Sequence, residues 1–148
     1  PIALSGSISE GSSVLSALAL GADFAYVGTK FIATEEANAS PGYKQMIIDS
    51  TANDIMYSAT FTGVDGNYLR PSVVAAGLNP EEHTSGSKDD MNFSSSAIAK
   101  KDNSSKAWKD IWGSGQGIGS IKDAPSVEDA VDKMVEEYQE AKKRLDQF

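Results

Sequence analysis

The sequence contains no cysteine, a single histidine and no long apolar run. Without cysteine the chain can form neither disulfides nor thiolate metal sites, which suits a cytoplasmic protein. A membrane-spanning helix needs about 20 consecutive apolar residues, and no run approaches that length, so we predict no membrane insertion. Acidic residues outnumber basic ones by 21 to 13, giving a net charge of −8. Nucleic-acid binding is therefore not expected, because phosphate neutralisation needs clustered Lys and Arg.

Few side chains suggest acid–base or metal chemistry. The only histidine, His83, follows Glu81 and Glu82 in a polar stretch, which does not favour a catalytic role. The carboxylates Asp23 and Asp54 have no partner at a spacing typical of an acid–base pair. We therefore predict neither a catalytic residue nor a metal ligand within these 148 residues.

Two short apolar segments carry most of the information in the sequence. Residues 1–9 and 22–31 are each predicted to begin as a strand and to continue directly into small residues. Residues 11–21 have apolar side chains at helical spacing, and Gly21 is a typical helix stop. The pattern predicts a βαβ unit, in which both loops leave the strands at their carboxyl ends.

The small residues that follow the two strands are Gly6 and Ser7 in the first loop, and Gly28 and Thr29 in the second. Small side chains let backbone N–H groups approach an anion, and the helix N-termini that follow would add favourable dipoles. Taken singly, each glycine is more simply explained as part of a tight turn. Together, on adjacent strands and with a hydroxyl donor at Thr29, they favour a phosphate site.

The middle of the chain has shorter signals. We predict a helix over 41–50, an extended segment over 55–62, a turn at 65–67 and a short helix that begins near Pro71. A polar loop over 81–105, a helix over 105–112 and an exposed glycine loop over 113–119 are predicted to follow.

The last helix has the clearest pattern. Ser126 is predicted to cap it, with Asp129 three residues later. We expect one packed apolar stripe, which consists of Val127, Ala130, Val131, Met134, Val135, Tyr138 and Leu145.

These segments resemble the nitronate monooxygenases, formerly called 2-nitropropane dioxygenases, and their FMN-dependent quinone- and enoyl-reductase relatives. The resemblance lies in Gly6-Ser7-Ile8 and in Gly28-Thr29-Lys30-Phe31, and it extends to the final helix. It includes Phe61-Thr62-Gly63, Asn67 to Ser72 and Trp108 to Gly119. Two residues differ from the family pattern: Ser7 replaces a glycine and Lys30 an arginine. If the backbone of Ser7 contacts the phosphate as the family's glycine does, we expect the φ of Ser7 to be negative, because residues other than glycine disfavour positive φ.

The resemblance implies an α/β fold, the C-terminal portion of a (β/α)8 TIM barrel. Strands 7 and 8 would carry the phosphate-binding loops, followed by a mainly helical insertion and a closing C-terminal helix. The implied regions are 1–52 for the last βα units, 53–119 for the insertion on the substrate side and 120–148 for the helix. The N-terminal remainder of the barrel, with the family's active-site histidine, would lie upstream of Pro1.

The implied cofactor is FMN. Gly6, Ser7, Gly28 and Thr29 would hold its phosphate, and the loop with Gln116 and Gly117 would return near the ring or the ribityl chain. That loop resembles a dinucleotide fingerprint, but it follows a predicted helix instead of a strand. A flexible interdomain loop is the alternative interpretation.

The implied reaction is oxidation of an alkyl nitronate by molecular oxygen. Two alternatives stay open: NAD(P)H-dependent reduction of a quinone or an enoyl thioester, and a non-catalytic domain that binds a phosphate ligand. The expected partners are thus a small-molecule substrate, oxygen and the rest of the barrel. The oligomeric state stays open, with a homodimer as one alternative.

Overall fold

The computed structural model describes residues 1–61, 64–83 and 110–147. They belong to two compact units, one of residues 1–49 and 115–148 and the other of residues 50–114. Most of the predicted polar loop over 81–105 and of the predicted helix over 105–112 lies outside the described residues.

The first unit begins with the predicted βαβ arrangement. Its elements are β1 (Ala3–Ser5), α1 (Gly11–Ala19) and β2 (Phe24–Tyr26). The strands pair in parallel, with Leu4 opposite Ala25. Gly21, at φ +94°, turns the chain from α1 towards β2, as its position in the sequence predicted. Because the strands are parallel, the loops that follow β1 and β2 leave from the same edge.

Three further helices complete the first unit: α2 (Thr29–Ile32), α3 (Pro41–Asp49) and the final helix. The strand predicted within 22–31 is therefore short, because the chain becomes helical directly after Gly28. The final helix spans Val127–Leu145, and the N–H of Asp129 donates to the Ser126 side chain at 3.0 Å, which confirms the predicted cap.

The packed face of the final helix is narrower than the sequence predicted. Ala130, Met134 and Ala141 are buried, but Val131 is 42% and Val135 is 54% exposed. The prediction that both valines pack was wrong within this chain. The face that meets α1 follows positions 130, 134 and 141, and the two valines lie at its side.

Gly11 allows α1 to approach this face of the final helix closely. It is buried at the start of α1, and a Cβ atom placed on it would overlap the backbone of Met134 and Tyr138. The Gly11 N–H also donates to the Glu137 carboxylate at 2.8 Å. The absence of a side chain therefore lets the two helices meet backbone to backbone.

The second unit contains an antiparallel pair of strands, β3 (Ile55–Ser58) and β4 (Gly66–Leu69). The helix α4 (Arg70–Ala75) follows with its proline in the first turn, as predicted, and 3₁₀ turns span Ala52–Asp54 and Pro80–His83. The described part of the predicted insertion thus combines helical segments with an antiparallel strand pair, which the prediction of a mainly helical insertion did not include. The core of this unit consists of Met56, Phe61, Val73 and Ile111.

No helix in the ranges described is both long and apolar enough to cross a membrane.

Candidate phosphate-binding site

A cavity of about 110 Å³ lies in the first unit, where β1 and β2 end. Five of the six residues predicted to bind a cofactor line it, namely Gly6, Ser7, Gly28, Thr29 and Gly117. The structure thus brings the two predicted loops together with a segment far downstream in the sequence. The N–H of Gly115 donates a hydrogen bond to Thr29, which lies 86 residues earlier in the chain.

The loop after β1 has an uncommon backbone conformation. Gly6 has φ +98° and Ser7 has φ +56°. The expectation of a negative φ at Ser7 was wrong, because the chain leaves β1 through two successive residues with positive φ, and Ser7 is the second of them. A left-handed serine costs about 1–2 kcal/mol, and such strain concentrates at functional sites.

Backbone N–H groups are among the polar groups of the residues that line the cavity. Those of Ser7, Ile8, Gly28 and Thr29 have no hydrogen-bond acceptor among the described residues. The residues that line the cavity include no carboxylate and no cationic side chain. An anion would therefore meet backbone donors and hydroxyl groups without repulsion from an acidic residue.

Thr29 lines the cavity, and its hydroxyl group can both accept and donate a hydrogen bond. Its Oγ1 accepts a hydrogen bond from the N–H of Gly115 at 2.8 Å. Because a hydroxyl group both accepts and donates, the Thr29 proton is still available to a ligand oxygen. A hydroxyl that accepts one hydrogen bond is also the better donor in the next, since hydrogen-bonded chains polarise one another.

Gly117 forms a third wall of the cavity. A Cβ atom on it would lie 2.7 Å from Ser9 Oγ and 3.0 Å from Ser7 Cα, so only glycine fits against the loop after β1. Residues Gln116–Ser120 form a 3₁₀ helix, and Ile118 is fully buried. The predicted exposed glycine loop was therefore wrong for this segment, because its one large apolar side chain enters the core.

Gln116 is placed differently from the other predicted site residues. It is exposed and does not line the cavity. Its contact with a cofactor ring stays a prediction.

The start of α1 does not supply the predicted helix dipole to the cavity. Its first N–H group, on Gly11, is occupied by the Glu137 carboxylate, an anion from the chain itself. The residues that line the cavity include loop residues after β1 and β2 but none of α1.

The size of the cavity matches the phosphate end of FMN and not the whole cofactor. Pockets that enclose a complete drug-sized ligand measure roughly 300–1,000 Å³. Four lining residues have N–H groups without an acceptor among the described residues, Thr29 has a hydroxyl group, and no lining residue has a carboxylate. This set of groups fits a phosphate dianion. The residues present therefore fit the group that the resemblance implied.

Five other residues line the cavity and were missed at the level of sequence: Ser5, Ile8, Ser9, Tyr26 and Gly115. Ser5 and Tyr26 are the last residues of the two strands, so their position next to the predicted loops was a usable signal. Ser9 and Gly115 had no such signal, because their contacts are with residues distant in sequence.

Two residues considered in the sequence lie elsewhere. His83 ends the 3₁₀ turn Pro80–His83 of the second unit. Lys30 is only 7% exposed and forms no ion pair with any residue in the described ranges.

A parallel βαβ unit with a cavity at its strand ends is typical of the phosphate-binding end of a (β/α)8 barrel. The family model for nitronate monooxygenase matches residues 1–137. The chain therefore belongs to the nitronate monooxygenase family, whose members are flavin-dependent oxidoreductases.

Curated relatives match over part of the chain. The nitronate monooxygenase of Paraburkholderia phytofirmans is 31% identical over 80 residues, which are 54% of this chain and 22% of that protein. The probable nitronate monooxygenase of Staphylococcus aureus is 33% identical over 63 residues, which are 43% of this chain and 18% of that protein. The matched segments thus span about a fifth of the length of these relatives.

Solved structures show a similar fold over nearly the whole chain. FabK of Thermotoga maritima has a TM-score of 0.71 at 24% identity, covering 99% of this chain and 47% of that one. The nitroalkane oxidase of Streptomyces ansochromogenes has a TM-score of 0.70 at 23% identity, and the match covers 97% of this chain and 41% of that one. The chain therefore has the fold of part of these barrel proteins and spans less than half of their length.

Proposed function

We propose that this chain supplies the FMN phosphate site of an oxidoreductase that oxidises alkyl nitronates with molecular oxygen. The observation that supports this most directly is the cavity at the ends of β1 and β2, which includes the Thr29 hydroxyl and four residues whose N–H groups have no acceptor in the part of the chain that the structure describes. In this proposal β1 and β2 are strands 7 and 8 of the barrel, and the remainder of the barrel supplies the catalytic histidine.

Bound FMN would supply the redox chemistry, and the role of this chain is to hold the cofactor in place. The N–H groups of Ser7, Ile8, Gly28 and Thr29 would bind phosphate oxygens, and the Thr29 hydroxyl would donate one further hydrogen bond. Fixed donors need no reorganisation when the dianion enters, which favours retention of the cofactor. The cytoplasm is the proposed location.

The substrate is less constrained than the cofactor, because one fold supports several reactions. The similarity to FabK is as strong as that to the nitroalkane oxidase, with TM-scores of 0.71 and 0.70. Reduction of a quinone or an enoyl thioester by NAD(P)H is therefore the second candidate.

Anaerobic reduction of the complete protein tests the proposal. An alkyl nitronate should bleach the flavin absorbance of the protein, and admission of oxygen should restore it. Bleaching by NADH or NADPH but not by a nitronate would favour the second candidate. A complete protein that binds no flavin after addition of FMN would contradict both and favour a non-catalytic phosphate-binding domain.

A further inference from the structure

A small hydrogen-bond network joins the loop after β1 to the 3₁₀ helix Gln116–Ser120. The Ser9 hydroxyl donates to the carbonyl oxygen of Gly117 at 3.0 Å. The Ser120 hydroxyl donates to Ser9 Oγ at 2.8 Å and lies 3.1 Å from the same carbonyl oxygen. Ser9 is only 6% exposed, and Ser120 is half-buried.

We propose that Ser9 and Ser120 are positioning residues, which hold Gly117 against Ser7 and thereby set the spacing of the phosphate donors. The inference rests on the proposed FMN phosphate site. Both serines act through Gly117, and neither is assigned a contact with the phosphate.

The geometry of the hydroxyl groups separates positioning from direct binding. Although Ser9 lines the cavity, its single hydroxyl proton is directed to Gly117. Ser9 Oγ in turn accepts the hydrogen bond from Ser120. The Ser9 hydroxyl therefore has no proton to offer a phosphate while the network is intact.

The hydrogen-bond network would stabilise the uncommon backbone conformation of Ser7. Ser7 has a left-handed φ of +56°, which the chain can hold only where its surroundings over-determine it. Gly117 provides that restraint, since it lies so close that a Cβ atom on it would be 3.0 Å from the Ser7 backbone. If Gly117 moves away, the loop after β1 can relax, and the N–H groups of Ser7 and Ile8 change position.

A comparison of FMN with riboflavin tests this inference, because riboflavin lacks the phosphate. Both affinities would be measured by fluorescence titration of the complete protein after removal of its flavin. Ser9→Ala should raise the Kd for FMN about tenfold, which corresponds to about 1.4 kcal/mol. Its Kd for riboflavin should change less than about twofold, since the ring contacts are untouched.

Ser120 provides a second variant at a half-buried position, in case Ser9→Ala does not fold. Ser120→Ala should weaken FMN binding about threefold, and Ser120→Thr, which keeps the hydroxyl, should bind FMN like the wild type. Ser16→Ala is the matched control, because the Ser16 hydroxyl is exposed and bonds only to Ser12 within α1.

Selective loss of FMN affinity in the alanine variants supports the positioning role. An unchanged ratio of FMN to riboflavin affinity, or an equal loss of both, overturns it. If the wild-type protein itself fails to prefer FMN over riboflavin, the proposed phosphate site is wrong and this inference fails with it.

Discussion

At the scale of single residues, Gly28 allows the most direct test of the proposed phosphate site. Its φ of −116° is open to any residue, and a Cβ atom on it would meet no other atom within 4 Å. A larger side chain at this position therefore should not disturb the fold. It would instead occupy space in the cavity that Gly28 lines.

Gly28→Leu should consequently weaken FMN binding by about tenfold or more, or about 1.4 kcal/mol, with little change in thermal stability. The measurement is a flavin titration of the complete protein. Gly119→Leu is the matched control, because Gly119 is also free of contacts within 4 Å but does not line the cavity. Wild-type FMN affinity in a folded Gly28→Leu protein would remove this loop from the site.

The predictable part of the site consists of residues that stand directly after the strands. Gly6, Gly28 and Thr29 were predicted because small residues after a strand mark a loop that backbone donors can line. Ser9 could not be found in this way, because its acceptor on Gly117 lies 108 residues further along the chain. A contact of that kind depends on how the elements pack, and no local sequence pattern around a serine predicts a partner so distant along the chain.

At the scale of elements, the crossing of α1 and the final helix depends on Gly11. A Cβ atom there would overlap the backbone of the final helix, which cannot move aside as a flexible side chain does. Gly11→Ala should therefore lower the free energy of unfolding by about 1–3 kcal/mol or more, as overpacking does in other cores. Chemical denaturation of the complete protein measures this change.

Gly119→Ala serves as the control for that measurement, since open space surrounds Gly119. Similar losses in both variants would show that the helices do not cross at Gly11. In the Gly11→Ala variant, we expect α1 and the final helix to move apart, which should also break the hydrogen bond from the Gly11 N–H to the Glu137 carboxylate.

The final helix shows why a pattern predicts an element more reliably than its packing. Its cap at Ser126 and its amphipathic character follow from local sequence, and the structure confirms both. Seven apolar residues were predicted as one stripe. A stripe of that width is broader than the contact with one neighbouring helix, so the pattern alone does not tell which of its residues are buried. Gly11, which lies on another helix, meets the backbone of the final helix next to Met134, and Met134 is buried while Val135 is exposed in this chain. Such a contact between helices cannot be read from the local pattern.

At the scale of the whole molecule, the chain resembles less than half of the solved barrel structures. The sheet in its first unit has two strands among the described residues, so both outer edges lack a partner. Large apolar side chains on and beside these strands are exposed, including Ile2, Leu20, Phe24 and Tyr26. Unpaired strand edges beside exposed apolar residues favour association with other chains.

We therefore predict that residues 1–148, expressed alone, self-associate or unfold over a broad temperature range. Light scattering and calorimetry would measure the two properties. Co-expression with the remainder of the protein should give a defined complex with a sharp transition, because the added strands would pair with the open edges and cover the apolar residues. An isolated chain that is monomeric and unfolds sharply and reversibly would contradict this prediction. It would show that the two-stranded sheet, with Phe24 and Tyr26 exposed to water, is sufficient for a stable fold and needs no barrel around it.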